Sequence, residues 1–321
     1  MALRFSSSIL RRNFSVFSSA GRLSRATRKF PKSLQGVAGV ANALRSHATQ
    51  GVTRGQREVK VESQDYYDGL SDHYYLFQQD WDGMVAKERQ GFKDAFFGEN
   101  VKKVLDASCG SGEQSIALAG ISKDIKVTAC DPSAGLVSKC AENAKKYGFH
   151  NIEAIQSDFL GLEHDFKDRL GTYDAIVTKG SSLPHLLTDK DLTQALKNFY
   201  SLLRPGGIVN IGVRDYDYFI KQKTQIYPRQ LKVGDDKEHL IFDIWEWHKG
   251  SEGQQLVNFN TFHINGENTP NYVTSKYITT FRALFRKEME DMLAKAGFTE
   301  IKVHKIDGWL WENVYTARRP N

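Results

Sequence analysis

The sequence predicts an α/β protein built on an open sheet of the nucleotide-binding kind, with an antiparallel layer added late in the chain. Three observations carry this. The apolar run Val104-Leu105 ends in Asp106 and passes through Ala107-Ser108-Cys109-Gly110-Ser111-Gly112 into Ser115-Ile116-Ala117-Leu118-Ala119: strand, glycine turn, helix. Lys126-Val127-Thr128-Ala129-Cys130-Asp131 is a second strand that also ends in an acid, 25 residues after the first. From Leu231 to Ile264 the pattern turns to period-two alternation around Lys249-Gly250-Ser251-Glu252-Gly253, a hairpin signal.

The 321 residues, 40% of them hydrophobic, suffice for a substantial core. No apolar run approaches a membrane span. Three cysteines, Cys109, Cys130 and Cys140, lack metal-ligand or disulfide spacing and point to a reducing compartment without a metal site. The net charge of +6 is unevenly spread. Residues 1–57 hold eleven Arg or Lys and no acid, which leaves 33 basic against 38 acidic residues in the remainder. That remainder is mildly acidic, so bulk charge gives no argument for nucleic acid.

Residues 1–53, rich in Arg, Ser and Ala and without an acid, have the composition of an organellar transit peptide. A mitochondrion is the expected destination, with a plastid also compatible. A basic tail for nucleic acid or anionic lipid is the alternative. Residues 54–100 read as a helical cap rich in Tyr and Phe. The remainder, 101–321, reads as the α/β domain, with the antiparallel layer at about 225–280.

Within that domain Leu136–Tyr147 reads as a helix and Asn151–Gln156 as the third strand, ending at Ser157-Asp158-Phe159. Ala175–Gly180 is the fourth strand, running into Ser181-Ser182-Leu183-Pro184-His185. Leu192–Leu203 is an amphipathic helix stopped by Pro205-Gly206-Gly207. Ile208–Val213 is the fifth strand, with Arg214-Asp215-Tyr216-Asp217-Tyr218 at its end. Arg286–Gly297 is a helix closed by glycine, and Ile301–Ile306 and Trp311–Ala317 supply the last strands.

The turn itself is informative. A dinucleotide fold places a third glycine three residues after Gly112, where this chain has Ser115. With Asp106 at the strand's end, a ligand without phosphates and with an ammonium group suits the turn better. An acid at Asp131 can take both hydroxyls of a ribose.

Asp106-Ala107-Ser108-Cys109-Gly110-Ser111-Gly112, Asp131, Ser157-Asp158-Phe159, Tyr173–Val177 and Leu203-Arg204-Pro205-Gly206-Gly207 together resemble the class I S-adenosylmethionine-dependent methyltransferases over roughly residues 60–320. The resemblance implies a Rossmann-like, seven-stranded mixed sheet with helices on both faces and S-adenosylmethionine as cofactor. It assigns the cofactor to Asp106, Ser108, Gly110, Gly112, Asp131, Asp158, Phe159 and Lys179, with Asp158 at the adenine amine and Phe159 on its ring. For Asp158 alone, a turn or helix-cap residue is the alternative.

Gly180-Ser181-Ser182-Leu183-Pro184-His185-Leu186 and the strand ending in Arg214-Asp215-Tyr216-Asp217-Tyr218 resemble glycine N-methyltransferase and the glycine/sarcosine N-methyltransferases. Tyr66-Tyr67-Asp68-Gly69 and Asp80-Trp81-Asp82-Gly83 echo their N-terminal helices. The resemblance implies that Arg214 grips a substrate carboxylate, with Ser181 and Tyr218 beside it and His185 and Tyr66 near the reacting groups. A guanidinium fork suits a small carboxylate. A surface ion pair of Arg214 with Asp215 or Asp217 is the plainer alternative, as is a structural histidine at His185.

Two positions depart from that family. Its Asn is Ser181 here, and the Arg that pairs with the cofactor carboxylate is Met84, leaving Lys87 or Arg89 to substitute. The expected acceptor is glycine or sarcosine/dimethylglycine, methylated on nitrogen. A methylthio acid methylated on sulfur, and a phosphobase, lipid or quinone precursor, are the alternatives. Outside catalysis, a non-catalytic organellar assembly subunit is the rival. A homo-oligomer is left open.

Overall fold

The computed structural model describes residues 80–321, apart from Phe97, 234–236, 268–271 and 306–311; side chains at 230–233, 237–238, 267 and 272 are also excluded. The expected transit segment 1–53, most of the expected cap with Tyr66, and Trp311 lie outside the described residues.

In chain order the elements are α1 (Trp81–Ala95), β1 (Lys103–Asp106), α2 (Glu113–Ala119), β2 (Lys126–Asp131), α3 (Ala134–Lys146), β3 (Ile152–Gln156), α4 (Leu162–Asp165), β4 (Tyr173–Thr178), α5 (Asp189–Leu202) and β5 (Leu203–Arg214). There follow α6 (Tyr216–Lys221), β6 (Ile226–Val233), β7 (Lys237–Lys249), β8 (Gln255–Glu267), β9 (Tyr272–Arg282), α7 (Arg286–Lys295), β10 (Thr299–Lys305) and β11 (Glu312–Arg318).

Seven strands form one sheet in the order β3-β2-β1-β4-β5-β11-β10. The first five are mutually parallel, and β11 runs antiparallel between β5 and β10. Alternation along the central strands builds two cores. Val104, Ala175, Val177 and Ile208 pack with Val85 and Phe92 of α1 and Ile116 of α2. Leu105, Ile176, Val209 and Ile211 pack with Leu196 and Phe199 of α5 and Leu293 of α7. Period two in the strands against 3.6 in the helices therefore places helices on both faces, the class I methyltransferase fold.

The second sheet, β6-β7-β8-β9, is wholly antiparallel. Trp245, Phe259 and Phe281 from its inner face join the same core as α5 and α7. Trp245 and Phe259 are directly opposed in register and stack at 4.4 Å. The hairpin turn falls at the expected glycines, Gly250 N–H donating to Gln254 O at 2.9 Å.

Several boundaries differ from expectation by one to three residues, and that of the fifth strand by more. The fifth strand begins at Leu203, not Ile208. Arg204 precedes a proline, which disfavours helical backbone, so the chain turns extended directly after Leu202. A register irregularity opposite Tyr173–Ala175 then absorbs the residues around Pro205, which has no N–H to give the ladder.

Candidate functional site

The turn after β1 is fixed by its backbone and by two acids. Gly110 and Gly112 have φ of 51° and 103°, in the left-handed region. A Cβ on Gly112 would stand 2.9 Å from Cys140 Sγ, so both conformation and space require glycine there. Asp131, at the end of β2, accepts from Gly110 N–H at 3.0 Å and Ser133 N–H at 3.1 Å. Ser108 Oγ and Thr178 Oγ1 lie 2.8 Å apart, tying the turn to the end of β4.

Asp106 is completely buried. It accepts from Ser115 Oγ at 2.6 Å and, more weakly, Ser108 N–H at 3.4 Å. Burial outweighs these bonds and pushes its carboxyl up to about 7. Glu113, the first residue of α2, is also pushed up to about 7 by burial. Buried acids under a glycine cradle suit a cationic ligand closely approached by backbone, and the residues fit S-adenosylmethionine on those grounds.

Asp158 is exposed, and its Oδ1 accepts from Leu160 and Gly161 N–H at 2.8 Å each, the expected alternative of a turn residue. Phe159 is half-buried and meets Phe199 edge-on at 5.8 Å. Lys179 is buried and paired with the buried Glu312 at 3.0 Å. Glu312 also accepts from Gly180 N–H at 3.1 Å, over the space left by Gly212. Lys179 thus holds the ends of β4 and β11 together. Of the two substitutes for Met84, Arg89 donates to Ala117 O at the far end of α2 from the glycine turn. Lys87 is half-buried beside Glu88.

At the ends of β4 and β5 the structure brings Ser181, His185 and Arg214 together. Ser181 is buried at φ 62°, directly after Gly180, and its Oγ accepts from Arg214 N–H at 3.1 Å. The Arg214 guanidinium carbon lies 4.8 Å from the Phe259 ring centroid, 5.6 Å from Trp245 and 5.8 Å from Phe281. His185 packs on Phe281 at 4.3 Å. Burial first, then the charge of Arg214, lowers its imidazole to about 3, so the ring is neutral throughout the physiological range.

The surface ion pair considered for Arg214 does not form. Asp215 takes Lys305 Nζ at 2.6 Å and caps α6, while Asp217 accepts from Arg286 N–H at 2.8 Å. Tyr218 sits on the surface, 42% exposed, away from this chamber. Its neighbour Tyr216 is fully buried, and Arg214 and Ser181 oppose the upward push of burial on its hydroxyl. The tyrosine beside Arg214 is therefore Tyr216 and not the expected Tyr218; two positions apart on α6, the two side chains leave the helix on opposite sides, Tyr216 inward and Tyr218 outward. Trp245, Phe259, Phe281 and Glu312 carry no local signal, because each comes from strands distant in sequence. Among the described residues, no cluster of three or more His, Cys, Asp or Glu is placed to hold a metal ion. Nor is any described helix long and apolar enough to cross a membrane.

Comparison with known proteins agrees with this geometry. Residues 104–207 match the model of a methyltransferase domain. The chain is 30% identical over 191 residues to glycine/sarcosine N-methyltransferase of Halorhodospira halochloris, covering 56% of this chain and 69% of that protein. It is 32% identical over 126 residues to glycine N-methyltransferase of Rattus norvegicus, covering 37% of this chain and 42% of that one. Among solved structures, the CcbJ methyltransferase of Streptomyces caelestis superposes with a TM-score of 0.62 at 17% identity, over 81% of this chain and 100% of that one. That last likeness is one of fold.

Proposed function

Since the chain belongs to the class I S-adenosylmethionine-dependent methyltransferases, we propose that its acceptor is a small carboxylate-bearing molecule, methylated on the nitrogen of glycine, sarcosine or dimethylglycine. The observation that carries this is Arg214, held by Ser181 and walled by Trp245, Phe259 and Phe281 at the end of β5. The similarity to glycine/sarcosine N-methyltransferases supports it. Family membership speaks against the non-catalytic alternative.

S-adenosylmethionine supplies the methyl group on a sulfonium. Arg214 takes the acceptor carboxylate on its planar fork, which fixes the amine in line for attack; such positioning contributes several kcal/mol, on the order of 7 or more in the best cases. The aromatic walls exclude water. His185, neutral and half-buried, and the Tyr216 hydroxyl offer the amine hydrogen-bonding partners without adding charge where positive charge moves. Asp106, Gly110, Gly112 and Asp131 hold the cofactor.

Full-length protein incubated with methyl-labelled S-adenosylmethionine and glycine, sarcosine, dimethylglycine, a methylthio acid, a phosphobase or a quinone precursor tests the reading, with Arg214→Ala in parallel. Label on glycine, sarcosine or dimethylglycine, lost in the variant, supports it; label on the methylthio acid, lost in the variant, keeps the Arg214 clamp and moves the acceptor atom to sulfur. Label on a phosphobase or quinone precursor, unaffected by Arg214→Ala, overturns it. The acid-free start is proposed to direct mitochondrial import, checked by fusing residues 1–53 to a fluorescent protein.

A further inference from the structure

Glu312 is buried at the start of β11, directly opposite Arg214 of β5 in register. Its side chain does not stay with that strand pair. It lies across β5 over Gly212, where a Cβ would overlap Glu312 Oε1, and reaches the end of β4. A glycine inside a strand marks such a close approach. At the end of β4 the carboxylate divides its two oxygens. Oε2 holds Lys179 Nζ at 3.0 Å, and Oε1 accepts from Gly180 N–H at 3.1 Å. A buried ion pair is a weak source of stability, which turns attention to the second contact.

Gly180 and Ser181 are consecutive left-handed residues, with φ of 67° and 62°. Glycine adopts that conformation freely. For serine it is strained, and it persists only where the surroundings over-determine it. Three hydrogen bonds do so here. Glu312 takes the N–H of Gly180, Ser182 Oγ donates to Lys179 O at 2.8 Å, and Arg214 N–H donates to Ser181 Oγ at 3.1 Å. The second lies within the loop and the third joins it to β5, so the first is the contact that β11 supplies. The same loop leads into His185, whose N–H donates to Ser182 O at 3.1 Å. The conformation that Glu312 holds therefore sets where Ser181 meets the Arg214 backbone.

We propose that Glu312 is a positioning residue for the methyl acceptor. Its bond to Gly180 N–H holds Ser181 in the left-handed conformation against Arg214, so that Arg214 meets the carboxylate of glycine, sarcosine or dimethylglycine in one orientation. Glu312 acts through Ser181 and not on the acceptor itself, and Lys179 serves to fix its carboxylate. This rests on the small-acid reading. Small displacements of a binding group are costly because productive geometry is narrow, so a contact two residues removed from the clamp still governs acceptor binding.

The test compares two variants of the full chain that both lack the ion pair. Lys179→Met/Glu312→Gln keeps an acceptor oxygen for Gly180 N–H, and Lys179→Met/Glu312→Met, of similar shape, does not; Lys179→Met/Glu312→Leu serves the same comparison if methionine does not pack. Thermal unfolding fixes a temperature at which each is folded. Initial rates with whichever of glycine, sarcosine and dimethylglycine the wild type methylates give KM and kcat, and calorimetry gives the S-adenosylmethionine Kd. The expected result is an acceptor KM about tenfold or more higher in the Met variant than in the Gln variant, with kcat and the cofactor Kd within about threefold. A general loss of stability does not produce that split. In a Ser181→Ala background the difference shrinks to within about threefold, because the coupling runs through Ser181. Equal KM in the two variants, a difference in kcat or cofactor Kd instead, or a KM difference that survives Ser181→Ala overturns the assignment of Glu312. The small-acid reading stands in each of those cases if Arg214→Ala still abolishes methylation. If the wild type methylates none of the three acids, that reading fails and the assignment falls with it.

Discussion

Cofactor affinity should depend on pH through Asp106. In the cofactor-free protein this carboxyl is fully buried and pushed up to about 7, chiefly by desolvation. A bound cation favours its ionised form and returns it toward the ordinary carboxylate value of roughly 4. Below pH 7 the free protein holds a proton that binding must expel, so affinity falls about tenfold per pH unit, on the order of 100-fold between pH 7 and 5. Calorimetric titration of S-adenosylmethionine in two buffers of different ionisation enthalpy reports both the affinity and the proton released, expected to approach one at pH 6. Asp106→Asn removes the proton release and flattens the profile. The same shift has a stability consequence of definite sign. Between about pH 4 and 7 the folded state binds a proton that the unfolded state has lost, so the cofactor-free protein loses stability as pH rises across that window. Flat affinity from pH 5 to 7 with no proton release, or a profile unchanged in Asp106→Asn, would refute the assignment of Asp106 as the cofactor's counter-charge.

Other consequences are equally direct. Arg214→Ala should raise the acceptor KM by on the order of 100-fold, about 3 kcal/mol for a lost charge-assisted pair, while the S-adenosylmethionine Kd stays within about twofold by calorimetry. Gly112→Ala places a Cβ against Cys140 Sγ at left-handed backbone; thermal unfolding should show a loss of about 1–2 kcal/mol or more, and Cys140→Ala should recover only the steric part, leaving the backbone strain. Lys179→Met leaves Glu312 buried without its ammonium partner and should cost about 3–5 kcal/mol in urea unfolding, with Lys179→Met/Glu312→Gln less damaging than the single change. His185→Gln should lower kcat/KM without moving its acid limb between pH 5.5 and 8, since the wild-type ring, lowered to about 3, does not titrate there.

What the sequence made legible follows from the range of the forces involved. The turn Asp106–Gly112 is written in local chemistry: a strand period, two glycines at left-handed backbone and an acid at the strand's end are each decided within a few residues. The hairpin at Gly250 was readable for the same reason. Arg214, Ser181 and His185 were legible through a motif resemblance, and their convergence at the ends of β4 and β5 follows from where open parallel sheets collect ligands. The partners that decide what those residues do are a different matter. Trp245, Phe259 and Phe281 reach Arg214 only because four antiparallel strands fold back onto the core, and Glu312 reaches Lys179 from β11, 133 positions along the chain. Asp215 and Asp217 were plausible partners for Arg214 by sequence proximity alone. A helix begins at Tyr216, and its N-terminus turns both acids to Lys305 and the Arg286 backbone instead. Arg214 is thereby buried among aromatic faces, with Asp215 and Asp217 turned elsewhere, which is the ground for proposing that it binds the acceptor. The glycine turn after β1 is thus carried by short-range pattern, and the surroundings of Arg214 by the long-range closure of the second sheet.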